Sequence, residues 1–261
     1  MIISYDIADV APYINWAYFF FAWQVRKQED QQRLQAEATH FLNQLDNSYC
    51  THAIFLIADA HSEGDDVMID LPDGVVRLPL LRQQSGNPCL CLADFISPHR
   101  DRIGLFAATA DARLETHFDK DPYQKMMAQL LADRLAEATA ELMHQQVRRR
   151  YWGYAPHEQL TIADMQQEHF LGIRPAVGYP SLPDNSLNFL LDNILHFSQI
   201  GITLTESGAM RPHASVSGLM MAHPHARYFS VGKIGDDQLA DYARRRGLDL
   251  GTTRKFLARN L

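Results

Sequence analysis

This chain is short of the features that mark many protein classes. It has three cysteines in 261 residues, Cys50, Cys89 and Cys91. An odd number without the two-residue spacing of a zinc knuckle argues against both a disulfide scaffold and a thiolate metal site, so reduced, partly buried thiols are expected. No stretch approaches the roughly 18 uninterrupted apolar residues of a membrane span; the run from Ile14 to Phe21 is short and aromatic. No basic region leads into an apolar run and a small-residue cleavage site, so the expected compartment is the cytoplasm. Positive charge is also scarce, with 24 Lys and Arg against 31 Asp and Glu and a formal net charge of −7. That balance disfavours sequence-independent binding to nucleic acid, which draws on clustered cations. The chain contains no phosphate-cradling glycine loop, no G-x-S-x-G elbow and no dinucleotide fingerprint, so Ser207, Ser215 and Ser217 are poor candidates for a nucleophile. His213, His223 and His225 lack helical HxxxH spacing and a nearby acid, and are expected to be surface histidines without a metal.

What is present is an ordinary folding composition, 46% apolar, at a length near the upper limit for one hydrophobic core. One domain over 1–261 is expected. An extended lead (Ile2 to Tyr5) precedes an aromatic helix around Asn15 to Arg26, and Leu34, Ala38, Phe41, Leu42 and Leu45 then recur on one helical face. Ala53 to Ala58 and Val67 to Leu71 read as a hairpin across Ser62 to Asp66, with further strands at Val75 to Leu81 and Ile103 to Ala108. The longest helix should span Asp121 to Arg149, with Pro122 in its first turn, where a missing donor costs little. Helices at Leu187 to Leu195 and Asp237 to Arg246, and strands at Ala214 to Met221 and Tyr228 to Ile234, complete the pattern. Strands and helices interleave irregularly, which points to an α+β fold over a regular parallel array.

One segment does not suit a helix or strand. Residues 172–180 read Gly-Ile-Arg-Pro-Ala-Val-Gly-Tyr-Pro, and each proline fixes its own φ and pushes Arg174 or Tyr179 before it towards extended backbone. Arg174 on such a shaped loop presents a rigid fork of donors suited to a carboxylate or phosphate. On the long helix Asp133, Glu137 and Glu141 recur every four residues and share a face. They are either a solvated face, with Arg134 pairing to Glu137, or acids turned towards a cation. Tyr179 and Tyr228 are aromatic candidates for the same site, although rim or core packing is the commoner role of such rings.

The R-P-A-x-G-Y-P run at 174–180 resembles the signature of the activation domain of cobalamin-dependent methionine synthase. Collinear segments extend the resemblance: Val10 to Trp16 with Phe19, Phe20 and Trp23, Cys91 to Phe95, Ala132 to Ala138, and Tyr151 to Pro156. It continues through Leu204 to Ser207, Ala214 to Gly218, His223-Pro224 with Tyr228, and Asp241 to Arg245. The resemblance implies a C-shaped α+β domain with a twisted, mainly antiparallel sheet and flanking helices. It also implies binding of S-adenosylmethionine and reductive methylation, or reactivation, of cob(II)alamin carried by a corrinoid-bearing methyltransferase, with flavodoxin or a similar electron donor. On this resemblance Arg174 clamps the ligand carboxylate, Glu137 and Asn15 receive its ammonium side, and Ala176 and Gly178 expose backbone. Tyr228 and Phe229 then flank the nucleoside, and Tyr179 faces the cobalamin.

Several features depart from the family pattern. Asn15 stands where the family usually has aspartate, which removes a charge-assisted hydrogen bond worth on the order of 1 kcal/mol and implies weaker binding. The Gly-Lys-Tyr-Pro segment common after Trp23 is missing, and Arg211 and His213 replace bulkier aromatic and small residues, which implies an altered rim. Met1 falls close to the first motif, so a chain acting in trans on a separate corrinoid protein is expected. The alternative is a non-catalytic module that senses S-adenosylmethionine or binds a corrinoid protein. Arg148 to Arg150 and Arg244 to Arg246 each follow a predicted helix end, where cations are favoured and usually solvated; the resemblance adds the sharper reading of a docking patch for an acidic electron carrier.

Overall fold

A computed structural model describes residues 1–261. The chain opens with β1 (Ile2–Asp6), a single turn α1 (Ile7–Val10), a 3-10 turn at Ala11–Tyr13, the aromatic helix α2 (Trp16–Ala22) and α3 (Gln28–Leu45). Three strands follow, β2 (Cys50–Glu63), β3 (Asp66–Leu71) and β4 (Gly74–Pro79), then β5 (Asp101–Ala110) and the long α4 (Pro122–Gln146), whose end widens into a π-type turn at Val147–Tyr151. The remainder is α5 (Ile162–Gln166), α6 (Leu187–Leu195), a minimal hairpin of β6 (Thr203–Leu204) and β7 (Met210–Arg211), β8 (Ser215–Met220), α7 (Asp236–Arg246) and α8 (Leu250–Phe256). No helix is long and apolar enough to cross a membrane.

The main sheet is antiparallel throughout, in the order β4-β3-β2-β5-β8. β2 is long enough to pair twice on one side, with β1 along residues 50–54 and with β3 along 60–63. Its neighbour β5 alternates strictly, because successive strand side chains point to opposite faces. Phe106, Ala108 and Ala110 join one core with α3 and α4, whereas Ile103, Leu105 and Ala107 join a second core with α6. The sheet is thus buried on both faces, which explains why β5 reads as a continuous apolar run. A small third cluster seats α7, together with Leu257 just after α8, on Leu81, Val231 and Ile234.

Local chemistry sets the ends of the elements. The carboxylate of Asp121 accepts from the amides of Tyr123 and Gln124, and Pro122 opens α4 where no donor is needed. The aromatic helix ends at Ala22, earlier than the predicted Arg26. Gln24 takes a φ of +56°, and the amide of Val25 bonds back to the Phe20 carbonyl before α3 starts at Gln28. The strand expected over Tyr228 to Ile234 is not formed: these residues carry no regular structure. Their backbone is satisfied elsewhere, Val231 N by the Pro180 carbonyl and Phe229 N by Ser181 Oγ, and Gly232 breaks the extended course at φ +72°.

The arginine loop lies along the free edge of β8. Ile173 and Met221 exchange both backbone hydrogen bonds at 2.9 and 3.0 Å, the Pro175 carbonyl accepts from Leu219, and Val177 donates to Ser217. Gly218 makes this approach possible, since a Cβ there would sit 2.2 Å from the Pro175 carbonyl oxygen.

Candidate functional site

A cleft of about 690 Å³ opens between α2, α4 and the arginine loop, within the range of small-molecule sites. Several separate stretches of the chain build it. The N-terminal stretch gives Tyr13, Asn15 and Tyr18; α4 gives Arg134, Glu137, Ala138 and Glu141 from one face. The segment after α5 gives Glu168 and Phe170, and the chain from Arg174 onward gives Ala176, Tyr179, Tyr228 and Phe229. Helical spacing of four residues is what aims both Glu137 and Glu141 into the cleft.

Arg174 is the most enclosed cation of this site. Its Nη2 donates to Glu141 Oε2 at 2.7 Å, and each side chain is only 14% exposed. Burial works against its charge, but Glu141 and Tyr228 outweigh that and raise its pKa above the ordinary arginine value. Two atoms of the pair have no partner, Arg174 Nε and Glu141 Oε1, both buried. Since buried polar groups are almost always hydrogen-bonded, such a pair facing a cleft is suited to a ligand with complementary groups. The Arg174 backbone amide is fixed separately, donating to Tyr228 Oη at 2.9 Å.

Glu137 faces the outer part of the cleft. Its Oε1 accepts from the Tyr179 hydroxyl at 3.1 Å, and its Oε2 lies 3.7 Å from Arg134. Glu137 thus pairs with Arg134, as one of the two sequence readings has it, and also lines the cleft. Tyr179 is 52% exposed at the rim, and burial of its inner part together with Glu137 pushes its hydroxyl up to about 12. Burial likewise pushes the Glu168 carboxyl up, against the pull of Arg174 and with the help of Glu141. Glu168 also holds a φ of +60°, a left-handed conformation uncommon for glutamate. Asn15 caps α2, its Oδ1 accepting from the Ala17 amide at 3.1 Å, which orients the side chain beside the cleft.

Not every expected residue arrives there. Asp133 turns away, to His213 at 3.3 Å, and Arg211 and His213 are absent from the lining. Gly178 is also outside it: with φ at +87° it makes the tight turn after Val177, packed so that a Cβ would meet Asn185 Oδ1 at 2.6 Å. Glu168 and Phe170 were not expected at the site, and Glu141 was expected only as one of three acids on a shared helix face, not as the partner of Arg174. Glu168 and Phe170 left no signal in the sequence, whereas the four-residue spacing marked Glu141.

The sequence matches, over residues 6–247, the family described as "Vitamin B12 dependent methionine synthase, activation domain". The chain belongs to this family. A solved structure described as "Crystal Structure of the MetH Reactivation Domain bound to AdoHcy" is similar at a TM-score of 0.95 and 35% identity, over 100% of this chain and 90% of that chain. The activation-domain fold expected from the sequence, helices around a mainly antiparallel sheet, is thus the fold found.

In this member of the family each arginine tract is split between the interior and the surface: Arg148, Arg245 and Arg246 are enclosed, whereas Arg149, Arg150 and Arg244 are exposed. Arg148 is fully buried and paired with Glu158 at 2.7 Å. Arg245 bonds to Asp66 and Asp241, and Arg246 to Ser186 with Asp184 at 3.7 Å, each arginine side chain only 8% exposed. The three enclosed arginines are thus held by acids within the fold, and Arg149, Arg150 and Arg244 are the members of the tracts that stay at the surface.

Proposed function

We propose that the cleft binds S-adenosylmethionine and that the protein supports reductive methylation of cob(II)alamin held by a corrinoid-bearing methyltransferase. The observation that carries this reading is the half-satisfied Arg174–Glu141 pair inside the cleft. A cation and an anion, each with a buried unpartnered atom, match the carboxylate and ammonium of one amino-acid ligand. The formal charge of the cleft agrees: Glu137, Glu141 and Glu168 against Arg134 and Arg174 leave one negative charge, opposite to the single positive charge of S-adenosylmethionine. When bound, that ligand supplies an electrophilic methyl group on a positively charged sulfur.

The chain's own contribution is positioning, with no acid or base needed at the methyl carbon. Arg174 uses one of its five guanidinium donors on Glu141 and keeps the others for a carboxylate. Glu137 and Glu141 receive the ammonium side, with Asn15 as an oriented but uncharged neighbour. Ala176 keeps its stretch of backbone open, Tyr228 and Phe229 flank the nucleoside, and Tyr179 at the exposed rim faces the cobalamin. A flavodoxin-like protein is the proposed electron donor.

The test is methyl transfer from labelled S-adenosylmethionine to a cobalamin-loaded methyltransferase under a chemical reductant. Label on cobalamin that disappears with Arg174→Ala supports the reading. Tight binding of S-adenosylmethionine without any transfer would instead assign the protein to a sensing role, and absence of binding would reject both.

A further inference from the structure

Behind the cleft lies a charged cluster that the proposed chemistry does not use. Arg148 and His144, on the last turns of α4 and its π-type extension, are both fully buried. The Arg148 guanidinium is bidentate on Glu158, at 2.8 Å from Nε and 2.7 Å from Nη2, and its Nη1 lies 2.9 Å from His144 Nδ1. Arginine can only donate, so His144 Nδ1 is the acceptor. The proton of the neutral ring then sits on Nε2 and points to the Tyr154 hydroxyl at 3.2 Å. Phe170 covers the pair, its ring 4.4 Å from Arg148 Cζ and edge-on to His144 at 5.0 Å.

This cluster matters because of what it holds. Residues 152–170 contain only the five-residue α5, too little regular structure to fix their own course. They nevertheless provide Met165, Gln166, Glu168 and Phe170 to the cleft. Their main ties to the body are Glu158 and Phe170 on Arg148, Ala155 N to the Arg148 carbonyl at 2.9 Å, and Gln166 Nε2 to the Ile14 carbonyl at 3.2 Å. Phe170 thus touches the buried guanidinium and also lines the cleft.

We propose that Arg148, clamped by Glu158 and His144, is a positioning residue of the ligand site, setting the 165–170 wall through Phe170. This inference deepens the reading of the cleft as a site for S-adenosylmethionine and rests on it. Arg148→Lys keeps the charge but loses the planar fork, and Glu158→Gln keeps the volume but not the charge. Each variant, if it folds, reports independently. Calorimetric titration with S-adenosylmethionine should show affinity reduced roughly 10- to 100-fold in both, as when outer partners of binding groups are removed. The double variant of Arg148→Lys with Phe170→Leu should bind no more weakly than Phe170→Leu alone, because both changes act along one route. Wild-type affinity in Arg148→Lys and Glu158→Gln would overturn the proposal, and so would losses that multiply in the double variant. If the unaltered protein binds no S-adenosylmethionine, the function reading fails by itself and hydrogen exchange decides about the clasp. Amides of Met165, Gln167 and Glu168, which are bonded to Thr161, Ala163 and Met165, should then exchange at least about tenfold faster in Arg148→Lys or Glu158→Gln while those of β5 do not change. Unchanged exchange at 165–168 would refute it.

Discussion

Replacing Glu141 by glutamine separates what holds the cleft together from what the cleft recognises. The Glu141–Arg174 contact is 2.7 Å long between side chains each 14% exposed. At an effective dielectric of about 20, two unit charges at that distance attract by roughly 6 kcal/mol, and desolvation of both ions offsets much of it. Removing one member alone leaves the other charge buried and unpaired, for which about 3 kcal/mol is the expected loss. Over 261 residues, at about 2.1 cal/mol/K of unfolding entropy per residue, this corresponds to a melting temperature lower by roughly 5–6 °C. Glu137→Gln provides the contrast, because Glu137 is 43% exposed and its contact with Arg134 is 3.7 Å. Its stability cost should stay below about 1 kcal/mol, although both glutamates line the same cleft. Urea unfolding and calorimetry of the two variants test the pair. Equal effects, or a Glu141→Gln change under about 1 kcal/mol, would refute the view that Arg174 depends on a buried counterion.

Three further outcomes are expected. His144 is buried beside Arg148 and Arg174, and burial above all holds its ring well below the ordinary histidine value; the unfolded chain alone binds its proton below about pH 6.5, so stability should fall there with a slope of about 1.4 kcal/mol per pH unit. Denaturant titrations at stepped pH would show that slope vanish in His144→Gln. Gly218→Ala would drive a methyl to within 2.2 Å of the Pro175 carbonyl and 2.9 Å of Ala176 Cα, costing roughly 3 kcal/mol and weakening binding of S-adenosylmethionine through displacement of the arginine loop. Finally, the single negative charge of the cleft should favour S-adenosylmethionine over its uncharged demethylated product by roughly 1 kcal/mol, about fivefold in affinity at low salt, with the ratio narrowing in 1 M salt.

Where apolar periodicity and capping chemistry act locally, the fold was legible in the sequence. α6 begins and ends where its pattern does, at Leu187 and Leu195, and Pro122 opens α4 as its missing donor allows. Tyr228 to Ile234 alternates like a strand, yet its amides bond to Pro180 and Ser181, about 50 residues earlier, and to Asn260 near the end of the chain, which no local pattern announces. The same distance problem hid the arginines: Arg245 and Arg246 look like ordinary helix-end cations until folding brings Asp66 and Asp184 to them. At the site, the proline-framed Arg174 and the four-residue spacing of Glu137 and Glu141 were visible. Which glutamate meets the arginine was not, because it depends on how α4 is rotated against β8. Glu168 and Phe170 gave no signal, since their place in the cleft comes from the clasp at Arg148 and not from any motif of their own.

Isothermal titration of the unaltered protein and of Arg174→Ala shows whether one cleft grips S-adenosylmethionine through Arg174. Saturable one-to-one binding is expected, dropping by at least roughly 30-fold, the equivalent of about 2 kcal/mol for a charge-assisted contact, in a variant shown by circular dichroism to remain folded. Equal affinity in the two proteins, or no heat of binding in the unaltered one, would contradict it.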